Sequence, residues 1–260
     1  MSENHYSINY RSIEDCAERR KCTVGIGRTL INGLTYPAVN ESTLLGEHVL
    51  VPYTREDELV NALYSGDIDC AVRGSFSAGR ILSILKNRSG QKALMRIALM
   101  RASGGQYFFL APVGIDEGQD NEEKLKIIEN AVKLIRALGF EPRIGVLSSG
   151  RKEDLGRNRV VDATIRNAKS LNDKLKTMGY DSTDFGILIE DAILNTNLII
   201  APDGIIGNYI FRTLYHLGNG DSIGAPVVNI DRTFVDTSRT KKNYSSAVIL
   251  AAALHNVAGF

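Results

Sequence analysis

The stretch from Leu198 to Leu217, LIIAPDGIIGNYIFRTLYHL, constrains the fold more than any other part of this chain. Leu198-Ile199-Ile200-Ala201 is an apolar run of strand length. Asp203-Gly204-Ile205-Ile206-Gly207-Asn208 follows as a turn, and Ile206, Ile210, Leu214 and Leu217 then recur at helical spacing. A loop with two glycines, an acid and an amide therefore sits between a strand's carboxyl end and a helix's amino end. In α/β proteins anionic groups bind at such places, where backbone N–H groups and the helix dipole face outward. The glycines are expected to let backbone approach a ligand closely.

Strand-like and helix-like segments alternate from end to end. Strands are predicted at 22–26, 48–51, 69–72, 143–147, 185–189 and 198–201. A helix is predicted over 55–64, closed by Ser65-Gly66-Asp67, and another after Ser77 as N-cap, with Ile81, Leu82 and Leu85 apolar. Two apolar runs, 93–100 and 106–110, flank Ser103-Gly104-Gly105 and read as a hairpin. Leu125, Ile128, Val132 and Ile135 define a helix over 121–138 stopped by Gly139, and a polar helix spans 160–178. The pattern predicts an α/β fold of two lobes, with mainly parallel sheets flanked by helices and a cleft between the lobes. The first lobe takes residues 1–102 and 229–260, the second 103–228.

Composition narrows the class. Of 260 residues, 31 are Lys or Arg and 30 Asp or Glu, a net charge of +1 that argues against a nucleic-acid partner. Cys16, Cys22 and Cys70 are odd in number and form no C-x-x-C pair, so reduced, buried thiols are expected. The start of the chain is charged and has no signal-peptide core, and the apolar run Ala247–Leu254 is too short to span a bilayer. A cytoplasmic protein with no membrane partner is expected.

Four loops follow strands and carry anion donors: Arg73-Gly74-Ser75 with Ser77 and Arg80; Ser148-Ser149-Gly150-Arg151; Asp203-Gly204-x-x-Gly207-Asn208; and Asp236-Thr237-Ser238-Arg239. Hydroxyls, glycine amides and guanidinium groups suit a phosphate or carboxylate. Each loop alone reads more readily as a plain turn; four in one chain favour an anionic-ligand site. Gly25-Ile26-Gly27 lacks the rest of a dinucleotide fingerprint. His5, His48, His216 and His255 show no metal-ligand spacing, so no metal is indicated, and no G-x-S-x-G elbow is present.

These residues resemble a family. Pro202-Asp203 with Gly207-Asn208 is similar to the signature of the phosphate acetyl/butyryltransferases, and the D-G-x-x-G-N form to the fatty-acid/phospholipid phosphate acyltransferases. Glu141-Pro142-Arg143-Ile144-Gly145-Val146-Leu147-Ser148 resembles their E-P-R-V-A-M-L-S strand. Asp69 to Gly74 resembles D-A-x-V-A-G, and Val235 to Arg239 resembles N-D-L-S-R before an apolar terminal helix. The resemblance implies an isocitrate-dehydrogenase-like, phosphate acyltransferase-like fold and a homodimer. It implies that Ser238 and Arg239 polarise and orient the transferring group. Arg73, Ser148, Ser149, Gly150 and Arg151 would hold the anion, with Asp203, Gly207 and Asn208 shaping the floor. One departure is plain: relatives carry an aspartate seven positions after the D-L-S-R serine, and here that position is Ser245. A serine is no general base at neutral pH without a partner to activate it.

Length and loops look most like methanogenesis marker protein 4, the MtxX family, whose members carry a provisional methyltransferase label. The reading is thus a group-transferring enzyme, a methyltransferase linked to methanogenesis, acting on a small anionic substrate. A coenzyme A-like or methyl-donor coenzyme would fit it. The alternatives are a phosphate acyltransferase proper, or a non-catalytic ligand-binding or assembly protein that kept the fold.

Overall fold

The computed structural model describes residues 7–31, 34–36, 48–238, 241 and 243–258. They form two compact units. A central unit takes residues 95–222 with the start of the chain before Tyr10, and a terminal unit takes residues 10–94 and 223–260.

In the terminal unit five strands run in the order β4-β1-β5-β12-β11. They are β1 (Thr23–Gly27), β4 (Val49–Tyr53), β5 (Cys70–Val72), β11 (Asp221–Pro226) and β12 (Thr233–Asp236). All neighbours are parallel except β11, which runs antiparallel to β12. A separate hairpin joins β2 (Thr29–Ile31) to β3 (Leu34–Tyr36). Helix α2 (Glu56–Ser65) begins with Glu56, Asp57 and Glu58, which complement its dipole, and stops at Gly66 with φ of 85°. Helix α3 (Ala78–Ser89) starts at Ser77, whose side chain makes no cap hydrogen bond, unlike the expected N-cap. Ala71 and Phe234 share one apolar cluster with Leu59, Leu63, Ile81 and Leu85 of α2 and α3. Strand alternation turns Cys70, Val72 and Val235 to the other face, where α8 (Ser245–Ala258) packs on β5 and β12 and against α1 (Tyr10–Glu18). Ala247 to Leu254 are all buried, so the predicted apolar helix is a core helix. No helix among the described residues is long and apolar enough to cross a membrane.

The central unit repeats the scheme with the order β6-β7-β10-β8-β9. Its strands are β6 (Ala98–Arg101), β7 (Tyr107–Ala111), β8 (Ile144–Leu147), β9 (Ser182–Gly186) and β10 (Leu198–Ile200). The β6–β7 hairpin is antiparallel; β7, β10, β8 and β9 are parallel neighbours. Helices α4 (Asn121–Ala137) and α5 (Arg159–Thr177) pack on each other and on β8, β9 and β10. Asp120 caps α4 by accepting from Glu123 N–H, and Asn158 caps α5 through Val160 N–H. Helix α6 (Ile189–Asn195) packs on β8 and β9, and α7 (Gly204–His216) on β7.

Two sequence expectations change here. The strand expected over 185–189 ends at Gly186, whose φ of 60° turns the chain, and Ile189 instead opens α6. Of the apolar positions expected for α7, Ile206, Ile210 and Leu214 are half-buried and Leu217, just past its end, is exposed, while the fully buried residues of α7 are Gly204 and Gly207.

Candidate functional site

In the central unit β8 and β10 lie side by side in parallel register, Ile144 beside Leu198 and Val146 beside Ile200. Their carboxyl ends therefore deliver two of the predicted loops, Ser148-Ser149-Gly150 and Pro202-Asp203, to one edge of one sheet. Between these ends and helices α4 and α5 lies a cavity of about 140 Å³. Val146, Leu147, Leu171 and Ile200 supply apolar wall; Gln119, Lys124, Thr164, Asn167 and Asp203 supply polar groups.

Ser148, Ser149, Gly150 and Arg151 are not among its lining residues, and most of their donors are engaged within the protein. Ser148 is buried and donates from Oγ to Gly150 O at 2.7 Å. Ser149 N–H donates to Thr164 Oγ1 at 3.0 Å, and that hydroxyl donates to Val161 O. A Cβ on Gly150 would crowd Val161, so this glycine is required by packing of α5. Arg151 is exposed, and its N–H donates to Asp154 Oδ2 at 2.9 Å.

Asp203 is the N-cap of α7 and accepts from Ile206 N–H at 2.8 Å. Gly204 and Gly207 face protein backbone. A Cβ on the first would run into the Gly114 carbonyl, and on the second into the Pro112 carbonyl. Asn208 Nδ2 donates to Val113 O at 3.0 Å, and Gly204 N–H to Glu117 O at 3.1 Å. The D-G-x-x-G-N motif thus docks the start of α7 onto the 112–117 loop. That loop is held from inside by Glu117, which meets Arg96 Nε at 2.7 Å and accepts from Gly114 N–H at 3.1 Å. Burial pushes the Glu117 carboxyl above its ordinary value, with Arg96 opposing. Sequence reasoning missed Arg96 and Glu117, which lie 21 positions apart in an unremarkable context.

Lys124 was also missed. It takes a buried place on α4, while Leu125, expected on the apolar face, is only half-buried. A lysine near a helix start reads in sequence as a solvated group. Burial lowers its pKa, against the nearby charges of Asp203 and Asp120.

The terminal unit holds the other two loops at the carboxyl ends of β5 and β12, also parallel neighbours. Arg73 and Asp236 are both buried and form an ion pair at 2.5 Å. Arg73 Nη1 also donates to Phe76 O, and Thr237 Oγ1 to Gly74 O. Arg73 therefore has its charge met inside the protein. Ser238 is half-buried, and its carbonyl accepts from Tyr244 Oη at 3.3 Å and from Lys241 N–H at 3.1 Å. Arg239 lies outside the described residues. Ser245 is buried at the start of α8. Lys241, absent from the sequence reading, is buried, with Nζ donating to Ile223 O and Ser246 Oγ at 3.0 and 2.9 Å. Gly25 and Gly27 make room for α2 and for Phe76, a packing role.

At the amino ends of β1 and β5 the fold gathers Cys22, Asp69 and His255, with one ligand-type atom of each within 4.8 Å of the others. Their atoms serve a hydrogen-bond network. Cys22 Sγ donates to Asn256 Oδ1, Asp69 Oδ2 accepts from Thr23 N–H, and His255 Nε2 pairs with Arg20 Nη2. Burial pushes the Cys22 thiol up to about 11, so it is a protonated donor. Cys16, Cys22 and Cys70 are all free and buried.

No family model matches the chain. Over 202 residues it is 46% identical to a protein of Methanosarcina mazei described as "Putative methyltransferase mtx subunit X", an alignment covering 78% of this chain and 72% of that one. The chain belongs to the Mtx subunit X family. Its fold is that of the phosphotransacetylases. A phosphotransacetylase from Staphylococcus aureus superposes with a TM-score of 0.60 over 94% of this chain and 98% of that one, at 14% identity. A branched-chain phosphotransacylase from Enterococcus faecalis does so with 0.59 over 95% and 94%, at 16% identity. Membership of this family supports transferase-type activity in general terms.

Proposed function

We propose that the chain is a group-transferring enzyme that moves a methyl group, as the name of its Mtx relatives suggests, onto or from a small anionic or coenzyme-linked substrate. The observation that carries this reading is the adjacency of the β8 and β10 carboxyl ends at one edge of a parallel sheet, where Leu147 and Asp203 line one cavity. That edge is where open α/β sheets bind ligands. Within the isocitrate-dehydrogenase-like class of folds, Ser149 and Arg151 are the members of the β8 loop we assign to the anion. Ser148, Gly150, Gly207 and Asn208 shape the loops that present it, and Arg73 stiffens the β5 loop. By the phosphate acyltransferase resemblance, Ser238 and Arg239 of the terminal unit would polarise and orient the transferred group. A methyl-donor coenzyme or a coenzyme A-like carrier suits such a site.

The test is turnover by purified protein with S-adenosylmethionine or a methylated corrinoid as donor, and separately with acetyl phosphate and coenzyme A. Methyl transfer that falls about 10²-fold in Ser238→Ala supports the proposal. Acyl transfer alone identifies a phosphate acyltransferase. Ser245 favours one further reading, a binding protein that keeps the fold without turnover, because a buried serine opening a helix supplies no base. Ligand binding with no turnover under either assay establishes that reading instead.

A further inference from the structure

Lys124 is 6% exposed, yet among the described residues it makes no hydrogen bond and no ion pair within 4 Å. Asp203 and Asp120 act on it only through space. An ammonium this little exposed, met only at a distance by two carboxylates, has room for a further negative partner in direct contact. Lys124 lines the cavity of about 140 Å³ under the β8 and β10 loops, a volume suited to a few heavy atoms.

We propose that this cavity binds a small carboxylate on a short aliphatic chain, with Lys124 taking its charge. This rests on the reading of the β8–β10 edge as the ligand-binding edge, and it deepens that reading by naming the charge and size of the bound group. The donor inventory selects a single negative charge. A phosphate dianion calls for several backbone N–H groups, and three in the flanking loops are engaged within the protein: Ser149 N–H on Thr164, Ile206 N–H on Asp203 and Gly204 N–H on Glu117. One lysine balances one charge, and Asp203 in the same lining repels a second. Val146, Leu171 and Ile200 on the walls accept methylene groups, not oxygens. Asn167 in the lining offers a side-chain amide to orient the carboxylate, while Gln119 Nε2 already donates to Ile115 O at 3.5 Å.

Titration calorimetry of the full chain with propionate, butyrate and inorganic phosphate tests this. Propionate or butyrate is expected to bind the wild type in preference to phosphate, with affinity falling at least about tenfold in Lys124→Met. Lys124→Gln serves as the second variant should the methionine disturb folding, and Leu171→Phe, which fills the cavity, is expected to weaken binding with the lysine intact. Equal affinity in wild type and Lys124 variants, tighter binding of phosphate than of carboxylate, or no heat with any carboxylate overturns the inference. Binding is read without turnover, so the two readings fail separately. Methyl transfer that persists in Lys124→Met alongside unchanged propionate binding sinks this inference alone. Carboxylate binding lost in Lys124→Met by a protein that transfers nothing sinks the proposed activity alone.

Discussion

At the scale of single residues, two features of the central and terminal units carry measurable consequences. Gly207 faces the Pro112 carbonyl so closely that any Cβ must displace backbone. Gly207→Ala is expected to cost about 1–3 kcal/mol, the usual range for forced overpacking, read as a lower urea midpoint at unchanged slope. His255 is 8% exposed and held below its ordinary value of 6.5 by burial, with Asp69 opposing and Arg20 reinforcing. The folded protein therefore takes up this proton at lower pH than the unfolded chain does. Below about pH 6.5 the unfolded state binds more protons, so stability falls as pH drops through 6.5 toward the folded value. His48, also lowered by burial, acts in the same direction. Glu117, raised above 4.5, acts oppositely, losing stability as pH rises from 4.5 through its folded value. Melting temperatures from pH 7 to 5.5 are expected to fall, and to fall less in His255→Gln.

At the scale of elements, the paired ends of β5 and β12 hold a buried charge on each strand. Removing one partner leaves the other desolvated and unpaired, so Arg73→Met or Asp236→Leu alone is expected to cost about 3–5 kcal/mol in chemical denaturation. The double variant is expected to recover most of that loss. Arg73 shows how sequence and structure divide the information. Its place after a strand, beside glycine and serine, is legible, and so is the reading of its loop as one of four at strand ends. Its commitment to Asp236, 163 positions away, is not, because only strand order brings β12 next to β5. The same holds for Asn208 and Val113, 95 positions apart. Strands and helices are legible from periodicity and stop signals, as Gly66 and Gly139 show with φ of 85° and 91°, whereas Ser77 makes no cap hydrogen bond and the caps at Asp120, Asn158 and Asp203 escaped the sequence reading. The misreading at 185–189 arose because a short apolar run has no periodicity to separate a strand from a helix start.

At the scale of the whole molecule, α8 is the segment on which the terminal unit depends. Ala247 to Leu254 are buried against β5, β12 and α1. A chain ending at Tyr244 is expected to lose protection of β1 and β5 amides in hydrogen exchange, since an uncovered sheet face has no partner to exclude water. The exposed apolar residues of α7 suit the homodimer implied by the phosphate acyltransferase resemblance. Sedimentation is expected to give a dimer, shifted toward monomer by Tyr209→Asp with Leu217→Arg. Sequence alone determined the α/β class, the position of the loops at strand ends and the family, because those depend on local periodicity, turn chemistry and motif order. Tertiary structure alone decided what each loop residue touches. It turned Gly207 and Asn208 toward a neighbouring loop, closed Arg73 onto Asp236, and left Lys124 buried beside a cavity with Asp203 and Asp120 acting on it only through space. Burial and charge partners are properties of strands adjacent in space, and adjacency in space is not written in the order of residues along the chain.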